Sequence, residues 1–437
     1  MSRVRAAARL DTAAFVALCA LLLVMPSIEA PKTIALVFFV LLTVAGRLAE
    51  RPLGLSKPDA IEWSLLALLA ASAVSTAVNW PIANGLKGVA DTAMYTAGCW
   101  CVYRGRWSDG RRSIVAAMVA AGVAAGLVRG VVDVYVNHKP FLEFHSAGIV
   151  TQSSIYLGIA LVMAGGILVA PGGAGRRPGP LERTIWAVVV VVMLAGLALM
   201  ASRGAILAVA VTWFLVLALV RRIRPAVATL VGIAVMVFVV HAAPDRFAQS
   251  RLGARITGFL TTFRLDDNDQ LRVSMWRIGV ARLSQGDAVV FGVGPRNFSS
   301  IDIPTLALAP PVEVPGQKLN HAHNLFVNKL VEEGVVGLAA FLLFLGMAAW
   351  RLARDRRRSR AVDWTWFAAL GAILVPSIAG SFNTPWYQEH ALLAMLLIGL
   401  YLSPRVNRDA SHTGRLNGTP VGHDRAGSTD TYEVSVP

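Results

Sequence analysis

The chain has 437 residues, of which 55% are hydrophobic and only 15% are charged. So little polar surface cannot cover so large an apolar core, which excludes a soluble globular protein and makes lipid the expected solvent. The formal net charge of +15 would suit a nucleic-acid partner, unless membrane topology explains the basic residues.

Apolar runs recur along almost the whole chain. A helix of roughly 17 to 25 such residues crosses the ~30 Å of hydrocarbon in a bilayer. We therefore predict an all-α, polytopic integral membrane protein with about 12 transmembrane helices. The predicted spans lie near residues 11–28, 32–46, 60–78, 86–103, 113–128, 150–170, 184–201, 204–220, 225–241, 325–350, 361–379 and 388–403. The first run is interpreted as a span, because no small-residue cleavage site and soluble domain follow it.

Most of the 41 lysine and arginine residues fall on alternate loops between these spans. The short loops on the other side hold few basic residues, namely Lys32, Lys87, Arg129, Lys139 and Arg203. The positive-inside rule then places both termini in the cytoplasm of a bacterial cell, as expected for a multi-pass inner-membrane protein. The basicity is topological, and no nucleic-acid partner is expected.

These spans divide the chain into four parts. Residues 1–241 are expected to form spans one to nine, and residues 242–322 one large periplasmic loop between spans nine and ten. Residues 323–403 form spans ten to twelve, and residues 404–437 a disordered cytoplasmic tail that lacks apolar periodicity. The three cysteines fall inside spans, so no disulfide framework is implied.

This topology puts Arg203, the large loop and residues 380–390 on one outer face, where we expect the function. Within the loop, Asp269 is predicted to cap a helix in which Val273, Trp276 and Val280 recur at helical spacing. A turn with the sequence GVGPRNF follows. The proline-rich segment after it is expected to form an ordered, irregular wall or lid.

The loop ends in the sequence HAHNLFVNKLVEEGVVG, which places His323 and Asn324 at the outer mouth of the tenth span. Gly334 and Gly337 lie nearly three turns further along and one turn apart. This spacing predicts a bare strip against which another helix or a lipid chain packs closely.

The order of these motifs resembles the O-antigen ligase family and its polymerase relatives. The shared pattern extends from about residue 184 to 350: Ser-Arg-Gly at residues 202–204, Arg-x-x-x-Trp at residues 272–276, the Gly-x-Gly turn, and His-Asn followed after nine residues by Gly-x-x-Gly. The resemblance implies a membrane glycosyltransferase of the GT-C type. Its donor would be a polysaccharide on undecaprenyl diphosphate and its acceptor the lipid A–core oligosaccharide, on the periplasmic face. It also implies that no metal, nucleotide or other cofactor is needed.

The chemistry of such a transfer assigns roles to these residues. Negative charge grows on the lipid diphosphate as it leaves, and arginine forks bind phosphate oxygens in pairs without losing their proton, so Arg203 and Arg272 are candidates for diphosphate binding and catalysis. A neutral imidazole could take the proton of the acceptor hydroxyl. His323 is the candidate base; only the family pattern selects it over His321. A single displacement predicts inversion at the anomeric carbon.

Two further residues have more than one interpretation. Asn324 is a candidate for substrate binding but also suits a helix N-cap. Trp276 could stack on a sugar, or it could be a packed or membrane-interface aromatic residue. Glu389 and His390 lie at the outer end of the last span, and their spacing indicates nothing beyond membrane-interface residues. Residues 267–269, Asp-Asn-Asp, resemble a cation-binding pair, although a helix cap is preferred and no metal is expected.

Three functional alternatives stay open at this stage. The same motifs fit a polymerase of O-antigen or exopolysaccharide, or a protein O-oligosaccharyltransferase, because the donor chemistry is the same. A solute transporter is the alternative from another class, although ionisable residues within the spans, such as Glu62 and Asp91, are sparse. The sequence does not identify the polysaccharide, the core sugar or the oligomeric state.

Overall fold

In a computed structural model of the protein, the described part of the chain is helical and contains no β-strand. The structure describes residues 2–50, 57–139, 142–144, 150–170, 179–200, 202–220, 267–306, 308–309, 312, 321–357, 362–382, 386 and 388–404. The ninth predicted span, the first part of the predicted loop (residues 242–266) and residues 405–437 lie outside these ranges, as does most of the proline-rich segment.

The α-helices follow the predicted spans closely. They are α1 (Ser2–Val24), α2 (Glu29–Glu50), α3 (Ala60–Val78), α4 (Gly85–Arg104), α5 (Asp109–Tyr135), α6 (Val150–Val169), α7 (Pro180–Met200), α8 (Arg203–Leu219), α9 (Asp267–Leu283), α10 (Ala288–Phe291), α11 (Leu325–Arg357), α12 (Trp364–Gly380) and α13 (Gln388–Leu402). Within the described residues, seven helices are long and apolar enough to cross a membrane, and α8, α12 and most of α13 are shorter apolar helices. The predicted all-α polytopic membrane protein is confirmed.

Local sequence sets several helix starts. The carboxylate of Asp59 accepts hydrogen bonds from the backbone N–H groups of Ile61 and Glu62, both at 3.0 Å, and the Glu62 side chain accepts one from the N–H of Asp59 at 3.1 Å. This reciprocal arrangement is a capping box, and it satisfies N–H groups that the first turn of α3 leaves without a helical partner. The Asp363 carboxylate also caps α12, where it accepts hydrogen bonds from the N–H groups of Thr365 and Trp366.

The centre of the bundle is formed by α6, α12 and α13. Almost every residue of α6 is buried, and this helix packs against α12, α7 and α8. By contrast, large apolar side chains stand exposed on α2 and α7, among them Phe38, Leu41 and Val191. An exposed apolar belt around a buried apolar centre is the arrangement expected when lipid surrounds the helices.

The predicted loop helix is present as α9, but Asp269 is not its cap. The described helix runs from Asp267 to Leu283, so Asp269 lies inside it. Its buried face carries Met275 and Ile278, whereas Val273 is 39% and Val280 58% exposed. The helical spacing of these valines therefore does not mark the packed face, because the remainder of the loop and α11 cover the opposite side.

Candidate active site

The Gly-x-Gly turn of the loop packs against a break inside α11. The helix is interrupted at Gly334, where φ is 68° and ψ is −171°. The backbone N–H groups of Val293 and Gly294 donate to the carbonyls of Val331 and Glu332, at 3.0 and 2.8 Å. The break removes these two carbonyls from the regular i to i+4 pattern, and the turn supplies their partners.

Glycine is required on both sides of this contact. A Cβ at Gly334 would lie 2.1 Å from the carbonyl oxygen of Val290, and a Cβ at Gly292 would lie 2.3 Å from the carbonyl of Glu332. Both glycines have positive φ, a conformation that costs other residues about 1–2 kcal/mol. Gly334 therefore packs against the loop backbone, where another helix or a lipid chain had been predicted.

Helix α3 joins the turn and the break. The Ser75 hydroxyl lies 2.5 Å from the carbonyl oxygen of Phe291 and 3.0 Å from that of Glu332, so it can donate to either. The amide of Asn79 donates to the carbonyl of Gly292 at 3.2 Å. These polar contacts fix the loop to the transmembrane bundle.

The elements that carry Arg203 and His323 meet at the C-terminal end of α12. Arg203 is the first residue of α8, and a Cβ on the adjacent Gly204 would lie 4.0 Å from the carbonyl oxygen of Ala379. On the other side, the Asn324 amide donates to the carbonyl of Ser381 at 2.8 Å. The starts of α8 and α11 therefore lie at the same end of the bundle.

The expected cap of α11 is present. The side-chain oxygen of Asn324 accepts hydrogen bonds from the backbone N–H groups of Phe326 and Val327, at 2.9 and 3.0 Å. The side-chain N–H of Asn324 also donates to the carbonyl of Ser381. The oxygen and the nitrogen of this side chain therefore both bond to backbone groups, and the residue connects α11 to α12.

Helix α9, with Arg272 and Trp276, packs on the first turns of α11. A Cβ at Gly279 would lie 2.8 Å from the Val331 side chain, and Met275 and Ala322 belong to the same buried cluster. Arg272 is half-buried. Trp276 packs against the cluster, and its buried indole N–H meets no acceptor among the residues that the structure describes.

The two histidines at the end of the loop lie side by side, with ring centroids 4.3 Å apart. Burial, followed by the charge of His323, lowers the pKa of His321 to about 3. His323 has a φ of 50°, which is strained for a residue with a side chain. His321 is therefore a weak base, whereas His323 is held in an unusual backbone conformation.

Sequence reasoning missed a charged cavity of about 180 Å³ beside the Gly-x-Gly turn. Lys32 forms a salt bridge with Glu389, and Arg296, from the turn itself, forms one with Asp91. Lys87 also lines the cavity. The predicted topology had placed Lys32, Lys87 and Glu389 at the same outer end, but no local spacing indicates which of them pair.

The predicted roles of Arg203, Arg272, His323, Asn324 and Trp276 in binding and catalysis stay predictions, although their elements converge at one end of the bundle. The side chains of residues 267–269 lie outside the described part of the structure, and the predicted alternative of a cation site there depends on those side chains. Among the described residues, no group of three or more His, Cys, Asp or Glu side chains is arranged to hold a metal ion.

The fold and this polar end together define a polytopic helical membrane protein with a segment between two apolar helices, α8 and α11, fixed over one end of its bundle. Residues 188–342 match the family model described as O-antigen ligase. The resemblance to this family is thus confirmed, and over nearly the same segment as predicted. A comparison with curated proteins found no match. The family match supports a function of the O-antigen ligase or polymerase type.

Proposed function

We propose that the protein is an inner-membrane O-antigen ligase, which transfers polysaccharide from undecaprenyl diphosphate to the lipid A–core oligosaccharide on the periplasmic face. One observation carries the proposal: the segment that matches the family, residues 188–342, contains Arg203, Arg272 and His323, and α8 packs on α12 while α9 packs on α11, at the end of the bundle where Asn324 bonds the end of α12. The match favours glycosyl transfer over solute transport.

The reaction proposed is a single displacement. The acceptor hydroxyl oxygen attacks the anomeric carbon of the donor as the bond from that carbon to the diphosphate oxygen breaks. The electron pair of the broken bond goes to the diphosphate, and the hydroxyl proton goes to His323. The anomeric configuration inverts, and no cofactor or metal enters the proposed scheme.

Arg203 and Arg272 would stabilise the charge that develops on the leaving diphosphate. At ~4 Å and an effective dielectric of ~20, one such charge pair is of the order of 4 kcal/mol before desolvation. Arginine suits the position because its planar fork matches two phosphate oxygens at once. Both residues are half-buried, which lowers solvent screening of this attraction.

His323 is the better of the two candidate bases on physical grounds. A general base works best when its pKa lies near the working pH, and the pKa of His321 lies far below it. The positive φ of His323 supports the same choice, since backbone strain concentrates at functional sites. The hydrogen bonds of Asn324 immediately after it fix the start of α11 and so position this backbone.

The test is a transfer assay with the purified full-length protein in detergent. The donor is polysaccharide on undecaprenyl diphosphate, and lipid A–core, a second donor chain and a pilin-like protein are offered as separate acceptors. Capped lipid A–core with inverted linkage is the expected product. Elongated donor alone would indicate a polymerase, and glycosylated protein alone an O-oligosaccharyltransferase. Absence of transfer to any acceptor would contradict the enzymatic proposal.

A further inference from the structure

The charged cavity beside the Gly-x-Gly turn draws residues from four separate parts of the chain. Lys32 comes from α2, Asp91 from α4, Arg296 from the loop and Glu389 from α13. Two of its ion pairs are well buried: the side chain of Glu389 is 1% exposed and that of Asp91 13%. Buried ion pairs are expensive to desolvate and are a poor source of stability, so their place at a cavity calls for another explanation.

The charges that line this cavity are balanced. Three cations, Lys32, Lys87 and Arg296, face three carboxylates, Glu29, Asp91 and Glu389. A site for a diphosphate would need an excess of positive charge, which is absent from the residues described there. Instead, strong donors and strong acceptors alternate around one small volume, and the remainder of the lining includes the side chains of Tyr95, Met94 and Leu392.

A sugar ring has the matching chemistry. Each hydroxyl both donates and accepts a hydrogen bond, so it can lie between a carboxylate and a cation, and bonds to charged groups are roughly twice as strong as neutral ones. The C–H faces of the ring suit aromatic and aliphatic side chains. A cavity of roughly 150 Å³ is enough for one six-membered ring such as benzene, so about 180 Å³ admits a single pyranose but not a chain.

We propose that this cavity is a subsite for one neutral pyranose of a substrate glycan, held between the Lys32–Glu389 and Arg296–Asp91 pairs. The inference rests on the proposed glycosyl transfer and adds a specificity site to it. The cavity lies at the end of the bundle that carries the candidate catalytic residues, and Arg296 belongs to the turn that fixes the loop to α11. A sugar bound here would be positioned by the same backbone contacts that hold the loop.

The kinetic test uses the full-length protein in nanodiscs with the donor and acceptor of the transfer assay. Asp91→Asn keeps the size of the side chain and removes its charge. It is expected to raise KM for one of the two substrates about tenfold and to leave kcat within about threefold, because it removes binding that is made equally in the ground and transition states. A rise in the donor KM would assign the sugar to the donor glycan, and a rise in the acceptor KM to the acceptor.

Two further variants make the result interpretable. Lys87→Met changes an exposed lining residue, so it keeps the fold and tests the cavity even if Asp91→Asn unfolds. Glu62→Gln is the matched control. Glu62, on α3, is 5% exposed and forms an ion pair with Arg104 of α4, the helix that carries Asp91, but it does not line the cavity. Its KM values for both substrates are expected to equal those of the wild type.

A binding measurement separates this inference from the proposed function. Saturation-transfer NMR with methyl glucoside, methyl galactoside and methyl rhamnoside should show binding of at least one pyranoside to the wild type and its loss in Asp91→Asn. Folded cavity variants with unchanged KM for both substrates would overturn the subsite, as would binding of inorganic phosphate without any pyranoside. If the wild type binds a pyranoside yet transfers no sugar to any acceptor, the subsite stands and the ligase proposal fails.

Discussion

The backbone N–H of Gly294 donates to the carbonyl of Glu332 at 2.8 Å, and this bond joins the extramembrane loop to a helix interrupted two residues later at Gly334. The contact is made entirely by backbone atoms. It therefore depends on the close approach of two backbone segments, residues 292–294 and 331–334, which only residues without a Cβ permit at this point.

Replacement of Gly334 by alanine is expected to release the loop from α11. The added Cβ would lie 2.1 Å from a backbone oxygen, and the positive φ adds strain, so the free energy of unfolding should fall by about 2–4 kcal/mol, with loss of most transfer activity. Thermal unfolding in detergent measures the first effect. Gly346→Ala, in the same helix with nothing within 4 Å of its Cβ, should be neutral or stabilising by about 0.5–1 kcal/mol. Equal stability of the two variants would contradict this account.

Ser75→Ala removes the hydroxyl that donates to the carbonyl of Phe291 or of Glu332. Because it leaves buried carbonyls with one partner fewer, we expect a loss of about 1–3 kcal/mol in stability and weaker protection of the loop against proteolysis. Ser64→Ala in the same helix is the control, since that buried hydroxyl donates to the carbonyl of Ile61, one turn earlier in the same helix. Similar proteolysis of the loop in both variants would show that Ser75 does not fix it.

Asn324→Ala should lower stability by about 1 kcal/mol through loss of the cap and further through loss of the bond to Ser381. Asn324→Asp keeps an oxygen for the cap but has no N–H to give to Ser381, so it should fall between the wild type and the alanine variant. Chemical denaturation of the three proteins tests this order. An aspartate variant as unstable as the alanine variant would mean that the cap contributes little.

Conservative changes of the two candidate arginines should separate charge from geometry. Arg203→Lys and Arg272→Lys keep the charge but lose the planar fork, so we expect kcat to fall about 10- to 100-fold, and about 100- to 1000-fold for the alanine variants. Transfer rates at saturating donor measure this. Arg357→Lys, at the opposite end of α11, should leave the rate unchanged. Full activity of both lysine variants would contradict bidentate binding of the diphosphate by these arginines.

The depressed pKa of His321 predicts an acid-sensitive stability. In the unfolded chain this imidazole takes up a proton near pH 6.5, whereas in the folded protein it does so only near pH 3. The unfolded state binds more protons between these values, so stability falls as the pH decreases from about 6.5, by up to ~1.4 kcal/mol per pH unit. His321→Asn should reduce this slope, and His138→Asn, at an exposed position, should not. Thermal unfolding at pH 7 and 4.5 compares them; identical slopes in all three proteins would contradict the prediction.

The transmembrane helices could be predicted from sequence because the thickness of a bilayer fixes the length of an apolar run. The cap at Asn324 could be predicted because capping is local. The break at Gly334 could not be predicted, since Gly334 and Gly337 are equally suited to close helix packing. Glycine adopts positive and negative φ alike, so its presence does not indicate which one occurs. The buried face of α9 was also missed, because the packing partners of its apolar residues come from distant segments.

The ion pairs of the cavity also join distant segments, so the sequence does not predict them. Lys32 and Glu389 are separated by 357 residues, and each looks like an ordinary interface residue in its own segment. Topology places them at one end of the bundle but leaves many pairings open at that end. Only the three-dimensional packing, in which α2 and α13 both contact α4, selects this pair.

The interruption also divides α11 into two unequal parts. The part from Gly334 to Trp350, after which the run of basic residues starts, is about 25 Å long, and crossing the hydrocarbon layer takes about 30 Å. The nine residues before Gly334 add about 13 Å, and His323 lies two residues before the first of them. Under the proposed function, a polyprenyl chain would stay among the acyl chains while its first sugar reaches His323, and the length of α11 would set the distance between the two.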